Sequence, residues 1–208
     1  MVGFGTEAID FDNDGVDELV VSNGHVGDFG TPDSPYAQPL QLFRRSVGGE
    51  YVSADLSEWG DYFRSPHIGR VLFTCDVDSD GRSDLVLTHL TEPVALLVNR
   101  SDPGHHQIVF HLVDSKHTRD AIGAVVDFET RINEENRQRR LFRLSGHGYL
   151  CSNRPELCAG TQSATVVHNV QVTWADGYIQ QVGDLETDAE YLIVRDQESA
   201  FLLRKHNR

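Results

Sequence analysis

Two short acidic loops, repeated in register, constrain this chain more than any other feature. Residues 3–23 read GFGTEAIDFDNDGVDELVVSN, and residues 69–89 read GRVLFTCDVDSDGRSDLVLTH. Gly3, Asp10, Asp12, Asp14, Gly15, Leu19 and Val20 return, at one constant offset, as Gly69, Asp76, Asp78, Asp80, Gly81, Leu85 and Val86. Downstream, Leu42-Phe43-Arg44-Arg45 is echoed by Leu97-Val98-Asn99-Arg100 at a shorter offset. The first unit therefore carries an insertion, which falls in the Gly/Pro/Asp-rich stretch 27–39. Each unit runs from an apolar segment through the acidic loop into a short apolar run, Leu19-Val20-Val21 or Leu85-Val86-Leu87. Short apolar runs between turn signals predict an all-β repeat. Residues 56–63 (LSEWGDYF) read as a helical turn or a loop.

Each loop places oxygen donors on alternate residues. In the first these are Asp10, Asp12, Asp14 and Glu18, with the backbone carbonyl of Val16 between. In the second they are Asp76, Asp78, Asp80 and Asp84, with the carbonyl of Arg82. Glycine at the sixth position permits the sharp turn that brings alternate side chains to one centre. Four converging carboxylates repel one another unless a cation sits among them. Oxygen-only donors select a hard cation, and calcium accepts irregular oxygen cages more readily than magnesium does. The expectation is two structural Ca2+ sites. Position nine is Glu18 in the first loop, with Asp17 beside it, so the second loop reads as the better formed. An EF-hand fails, because it needs a Glu at position twelve and flanking helices. Here that position holds Val21 or Leu87, inside strand-like runs.

Composition narrows the function. Over 208 residues, 18 basic and 32 acidic side chains give a formal charge of −14. That charge opposes a nucleic-acid backbone or an anionic membrane as the main partner. No run of about 18 apolar residues is available for membrane insertion. The N-terminal residues have neither a basic flank nor an apolar core, so they do not read as a signal peptide.

The loops and the strands that follow resemble the FG-GAP/VCBS repeat of integrin-type β-propellers over residues 3–100. Residues 99–196 resemble the ASPIC/UnbV domain of cartilage acidic protein-like chains. The stretches that carry this are Thr118-Arg119-Asp120-Ala121-Ile122-Gly123-Ala124-Val125, Ser145-Gly146-His147-Gly148-Tyr149-Leu150-Cys151-Ser152-Asn153 and Val170-Gln171-Val172-Thr173-Trp174-Ala175-Asp176-Gly177. One departure is Cys158-Ala159-Gly160-Thr161, where the family commonly has Phe-Gly-Leu-Gly. The resemblance implies calcium as ligand, a secreted or surface location and no catalytic residues. It divides the chain into two repeats at 1–100 (about 1–55 and 56–100) and an ASPIC/UnbV domain at 101–208. Propellers close with about 4–8 blades, and two blades leave open edges. The sequence therefore reads as part of a longer secreted protein whose further blades lie outside it, or as blades that pack on the last domain or on another chain.

In the second half, residues 107–113, 124–130, 140–144, 166–174, 178–182 and 191–194 read as strands. The 124–130 and 140–144 segments form a hairpin about Asn133-Glu134-Glu135-Asn136, and Asp176-Gly177 is a hairpin turn. These strands predict a small antiparallel sandwich or partly closed barrel. Cys75 reads as a buried thiol, while Cys151 and Cys158 are either joined across a short loop or both reduced. His105-His106 reads as a solvated loop, and Arg137, Arg139, Arg140 and Arg143 as an exposed face paired with nearby Glu. Asn99-Arg100-Ser101 is a glycosylation sequon in a eukaryotic secretory pathway. Ser145-Gly146-His147-Gly148 lacks a nucleophile elbow. Trp174 and Tyr178 flank a turn and either pack between sheets or stack on a sugar.

These features predict a non-catalytic, calcium-binding module for adhesion or protein interaction, located outside the cell, in the periplasm or at the cell surface. Its partner is an unidentified protein or glycan. The alternatives are a carbohydrate-binding accessory module and, less favoured, a metal-dependent hydrolase.

Overall fold

A computed structural model of the chain describes residues 1–101 and 104–206. The first sheet is an antiparallel meander of β1 (Gly3–Ile9), β2 (Glu18–Asn23), β3 (Gln41–Arg45) and β4 (Tyr51–Ser53). A 3-10 turn (Leu56–Glu58) and one short helix, α1 (Asp61–Arg64), then lead to the second sheet. That sheet holds β5 (Gly69–Cys75), β6 (Asp84–His89) and β7 (Ala95–Leu97). The remaining strands are β8 (His106–Val113), β9 (Val125–Ile132), β10 (Glu135–Phe142), β11 (Leu157–Gln162), β12 (Val166–Thr173), β13 (Ile179–Glu186), β14 (Ala189–Val194) and β15 (Phe201–Lys205). They form two four-stranded sheets, ordered β10-β9-β12-β13 and β11-β8-β14-β15.

The sequence repeat is a structural repeat. In the first sheet Gly3 pairs with Asn23 and Thr6 with Val21; in the second, Gly69 pairs with His89 and Leu72 with Leu87. The offset that separates Gly3 from Gly69 relates every one of these pairs, and both ladders slip at the same place. Alternation drives the pairing. β1 buries Gly5, Glu7 and Ile9 while exposing the residues between, as a sheet with one covered face requires.

Two cores hold the sheets. Ile9, Phe11, Val20, Leu42, Phe63, Leu72, Leu85 and Leu87 form one, shared by the first two sheets and the helical excursion. Ile108, Phe110, Val126, Phe128, Val172, Trp174, Tyr191 and Ile193 form the other, shared by the last two sheets. Burying each large aliphatic side chain is worth about 1.5–3 kcal/mol relative to leaving it in water. The chain is all-β, with four blade-sized sheets in a propeller-like arrangement, so the two blades counted from the repeat cover only half of them. Among the described residues no helix is long and apolar enough to cross a membrane.

Several local expectations change. The hairpin turn tightens to Asn133-Glu134, with Ile132 opposite Glu135; both turn residues have positive φ (49° and 67°), the geometry a two-residue turn imposes. The second half is not purely antiparallel, because β14 runs parallel to β8. β11 and β15 are additional strands. β11 contains the Cys158-Ala159-Gly160-Thr161 departure, and β15 carries Phe201, Leu202 and Leu203, all exposed. All three cysteines are free, and burial pushes the Cys158 thiol up to about 11. The sequon asparagine is buried: Asn99 Nδ2 donates to the Phe11 carbonyl at 2.9 Å, which removes it as a glycan acceptor. Trp174 is 1% exposed and its indole N–H donates to Gln180 Oε1 at 3.2 Å, so it packs between sheets and is closed to a sugar.

Candidate metal centre

The two acidic loops are wired alike. Asp10 Oδ2 accepts from the Gly15 N–H and Asp76 Oδ2 from the Gly81 N–H, both at 2.9 Å. Asp14 Oδ1 accepts from the Val16 N–H at 2.7 Å, as Asp80 Oδ1 does from Arg82 at 2.9 Å. Glu18 Oε2 closes the first loop on the Phe11 N–H at 3.3 Å, and Asp84 Oδ2 closes the second on Val77 at 2.8 Å. The backbone is left-handed at Asn13 and Gly15 (φ 59° and 81°) and at Ser79 and Gly81 (59° and 89°). Asn tolerates that region and Gly enters it without a Cβ penalty, which is why the D-x-D-x-D-G pattern can wind so tightly.

Winding gathers the carboxylates unequally. One oxygen each from Asp10, Asp12 and Asp14 lies within 4.8 Å of the others, and so does one each from Asp76, Asp78 and Asp84. Glu18 stands beside the first trio. It lines the same open cleft as Asp12, Asp14 and Val16, and it faces Arg44 Nε at 3.6 Å. Asp80 turns away to pair with Arg82, whose Nε reaches the Asn99 carbonyl at 3.3 Å. Arg82 thus brings a guanidinium as well as a carbonyl to the second loop.

Electrostatics separate the loops further. Burial pushes the Asp10 carboxyl up to about 7; the Gly15 N–H opposes this, and the carboxylates of Asp14, Asp17 and Asp12 reinforce it. Burial likewise raises Glu18 to about 7, against the Phe11 N–H. Asp10 Oδ1 is buried and has no hydrogen-bond partner among the described residues. Two guanidinium groups approach the first loop: Arg44, 3.8 Å from Asp12 and 3.6 Å from Glu18, and Arg139, which sits on the Gly15 carbonyl and whose charge also bears on Asp17. The second loop holds three arginines: Arg154 at 3.5 Å from Asp76, Arg100 at 3.1 Å from Asp78, and Arg82 on Asp80. Both oxygens of buried Asp84 are already used, by Val77 and by Asn99 at 2.8 Å each. An oxygen-only donor set with an orphaned buried carboxylate oxygen fits a hard cation in the first loop. Guanidinium groups already supply countercharge in the second.

The second half of the chain clamps both loops, through residues that the acidic pattern does not point to. Arg139 of β10 donates to the Gly15 carbonyl, and Gln162 of β11 donates through Nε2 to Asp14 and through its backbone to Asn13 at 3.1 Å. His105 Nδ1 donates to the Asp12 carbonyl at 2.9 Å. On the second loop, Gln107 reaches the Asp80 carbonyl and Arg204 the Ser79 carbonyl, both at 3.3 Å. Gly160 lies directly against Asp10 and Asn13. A glycine inside a strand signals close backbone approach and is the one clue the sequence offers to this contact.

Other sequence candidates resolve differently. His105 is tied to a loop and His106 to Asp188 at 2.6 Å, so neither is merely solvated. Of the arginine cluster, Arg140 pairs with Asp127 at 2.6 Å and Arg137 lies 3.9 Å from Glu135, whereas Arg139 serves the first acidic loop and Arg143 donates to the Leu144 carbonyl.

No curated protein matches the chain. Residues 114–200, which span β9 to β14 and the loop ahead of them, match the family model described as ASPIC and UnbV.

Proposed function

We propose that the chain is a non-catalytic calcium-binding module for adhesion or protein interaction outside the cell, in which FG-GAP/VCBS-type blades are held by calcium and docked on the ASPIC/UnbV domain. The supporting observation is the first acidic loop. Asp10, Asp12 and Asp14 converge with an orphaned buried oxygen, and Arg139, Gln162 and His105 hold the loop's carbonyls. An ion there completes the Asp10 coordination and fastens the loop between the two halves. Occupancy of the first loop precedes that of the second, whose carboxylates already face three guanidinium groups. Extracellular calcium modules bind at about 10⁻⁴–10⁻³ M, a range filled outside cells and empty in cytosol. The burial of Trp174 leaves the glycan-binding alternative with Tyr178 alone of the two rings that flank the turn.

The test is calorimetric titration of the chain with Ca2+ and with Mg2+, together with thermal unfolding in calcium and in chelator. Calcium binding with a rise in melting temperature, weak or absent for magnesium, supports the reading. Identical melting curves and no binding heat with calcium overturn it.

A further inference from the structure

A second cluster of metal-binding chemistry lies away from the acidic loops, where the helical excursion meets the β6–β7 turn. One nitrogen of His67, one of His89 and one oxygen of Glu92 lie within 4.8 Å of one another. We propose that these three residues, with the Tyr62 hydroxyl beside them, form a binding site for a zinc-type divalent transition metal. This proposal does not depend on the calcium reading.

His89 is already oriented as a ligand. His89 Nδ1 donates to the Pro93 carbonyl at 2.7 Å, which leaves the lone pair on Nε2. That Nε2 meets the Tyr62 hydroxyl in a close contact. The His67 ring stacks on Tyr62 with centroids 4.2 Å apart and planes 16° apart, and its Nδ1 lies 2.7 Å from Glu92 Oε2. His67 Nε2 is buried and finds no hydrogen-bond partner among the described residues. Ligating imidazoles characteristically give their other nitrogen to a carbonyl or carboxylate, which fixes tautomer and ring orientation.

The internal repeat supplies an independent comparison. His89 occupies in the second unit the place that Asn23 holds in the first, each opposite the first residue of its sheet. Asn23 Nδ2 donates to the Pro39 carbonyl at 2.9 Å, just as His89 Nδ1 donates to Pro93. An amide therefore suffices to tie the following loop. What histidine adds is a second, basic nitrogen, and that nitrogen points toward Tyr62.

The backbone is prepared as well. His67 and Gln38 exchange two backbone hydrogen bonds, at 2.7 and 3.0 Å, and the Leu90 N–H donates to the Ile68 carbonyl at 3.0 Å. An ion would join the segment after α1, the end of β6 and the turn before β7. Two imidazoles with a carboxylate select Zn2+, Co2+ or Ni2+ over calcium, whose ligands are oxygens.

The test uses the untagged chain, freed of metal by chelator, titrated with Co2+ and with Zn2+. Visible Co2+ absorption reports nitrogen ligation, and Zn2+ displaces the signal. The expected result is one equivalent per chain at this site, weakened by more than about tenfold in His89→Gln and in Glu92→Gln but unchanged in Glu198→Gln, an exposed carboxylate outside both clusters. Glu92 lies on an exposed turn, so its variant tests ligation even if His89→Gln disturbs packing. Absence of binding by the folded chain, or equal affinity in the chain and both site variants, overturns the proposal and leaves an ordinary His–Glu ion pair only.

Discussion

Gly160 of β11 and Asp10 of the first acidic loop touch so closely that a single methyl group cannot be inserted between them. A Cβ at position 160 would run into Asp10 Oδ2 and stand 2.5 Å from Asn13 Cα. The obstacle is backbone on one side and a candidate ligand on the other, so neither can step aside without unwinding the loop. Gly160→Ala is expected to destabilise the chain by about 1–3 kcal/mol, the usual cost of overpacking. It should also weaken calcium binding at the first loop. Urea unfolding with and without calcium checks both, and the loss should be larger in calcium.

The arginines predict an order of filling. Asp12→Asn removes a first-loop donor that Arg44 alone pairs with among the described residues, at 3.8 Å. Asp78→Asn removes a second-loop donor that Arg100 already holds at 3.1 Å. With a dissociation constant of about 10⁻⁴–10⁻³ M, calcium at about 10 mM stabilises each filled site by about 1.4–2.7 kcal/mol, or about 3–10 °C in melting temperature. Asp12→Asn should remove most of the calcium-dependent rise, and Asp78→Asn should remove less. Melting curves of the two variants in calcium and in chelator decide it.

What the sequence displays is local or periodic. The offset that relates Gly3 to Gly69 also sets the ladder pairs of Asn23 and His89, because register follows the hydrophobic alternation. The acidic loops are legible because Asp10 and Gly15, or Asp76 and Gly81, bond within a few residues. The contacts that hold the loops are not legible. Arg139 meets Gly15 across 124 residues and Gln162 meets Asp14 across 148, and no pattern in either segment announces its partner. The parallel β8–β14 pair joins the first strand of the second half to one of its last, again outside any local signal. His67, His89 and Glu92 escape a sequence reading for the same reason, since only the fold of the second sheet brings His67 to the other two.

Asp10 gives a pH dependence with a definite sign. Burial holds its folded carboxyl at about 7, above the ordinary carboxylate value of about 4. The folded chain therefore binds more protons than the unfolded one between those values. Its contribution to stability is complete below about pH 4 and is lost as pH rises through about 7. Asp10→Asn removes the titration. In chelator, the stability of the unaltered chain relative to Asp10→Asn should fall as pH increases from about 5 to about 8. Calcium should cancel the fall, because the cation takes the place of the proton. Parallel urea titrations across that range test it, and a flat difference would contradict it.

Asp114 makes the opposite prediction at the start of the segment that matches the ASPIC and UnbV model. Burial tends to raise its carboxyl. That tendency is outweighed by the N–H groups of Lys116 and His117 at 2.8 and 3.1 Å, the His117 ring at 3.2 Å and the buried Arg195 guanidinium at 3.2 Å, which hold it down at about 2. Arg195 continues the network to Asp176 at 2.6 Å and lies 5.1 Å from the centre of the Tyr178 ring. The folded carboxyl titrates below its unfolded counterpart, so its stabilisation is present above about pH 4 and is lost as pH falls toward about 2. Asp114→Asn leaves Arg195 short of a charged partner in a buried setting and should cost about 1–3 kcal/mol at neutral pH. The difference between the variant and the unaltered chain should shrink steadily in acid, because both then carry an uncharged side chain at position 114. Chemical unfolding at neutral pH, near pH 4 and near pH 2.5 measures that convergence, and a gap that persisted at the acid end would show that Asp114 stabilises the domain through packing rather than through its charge.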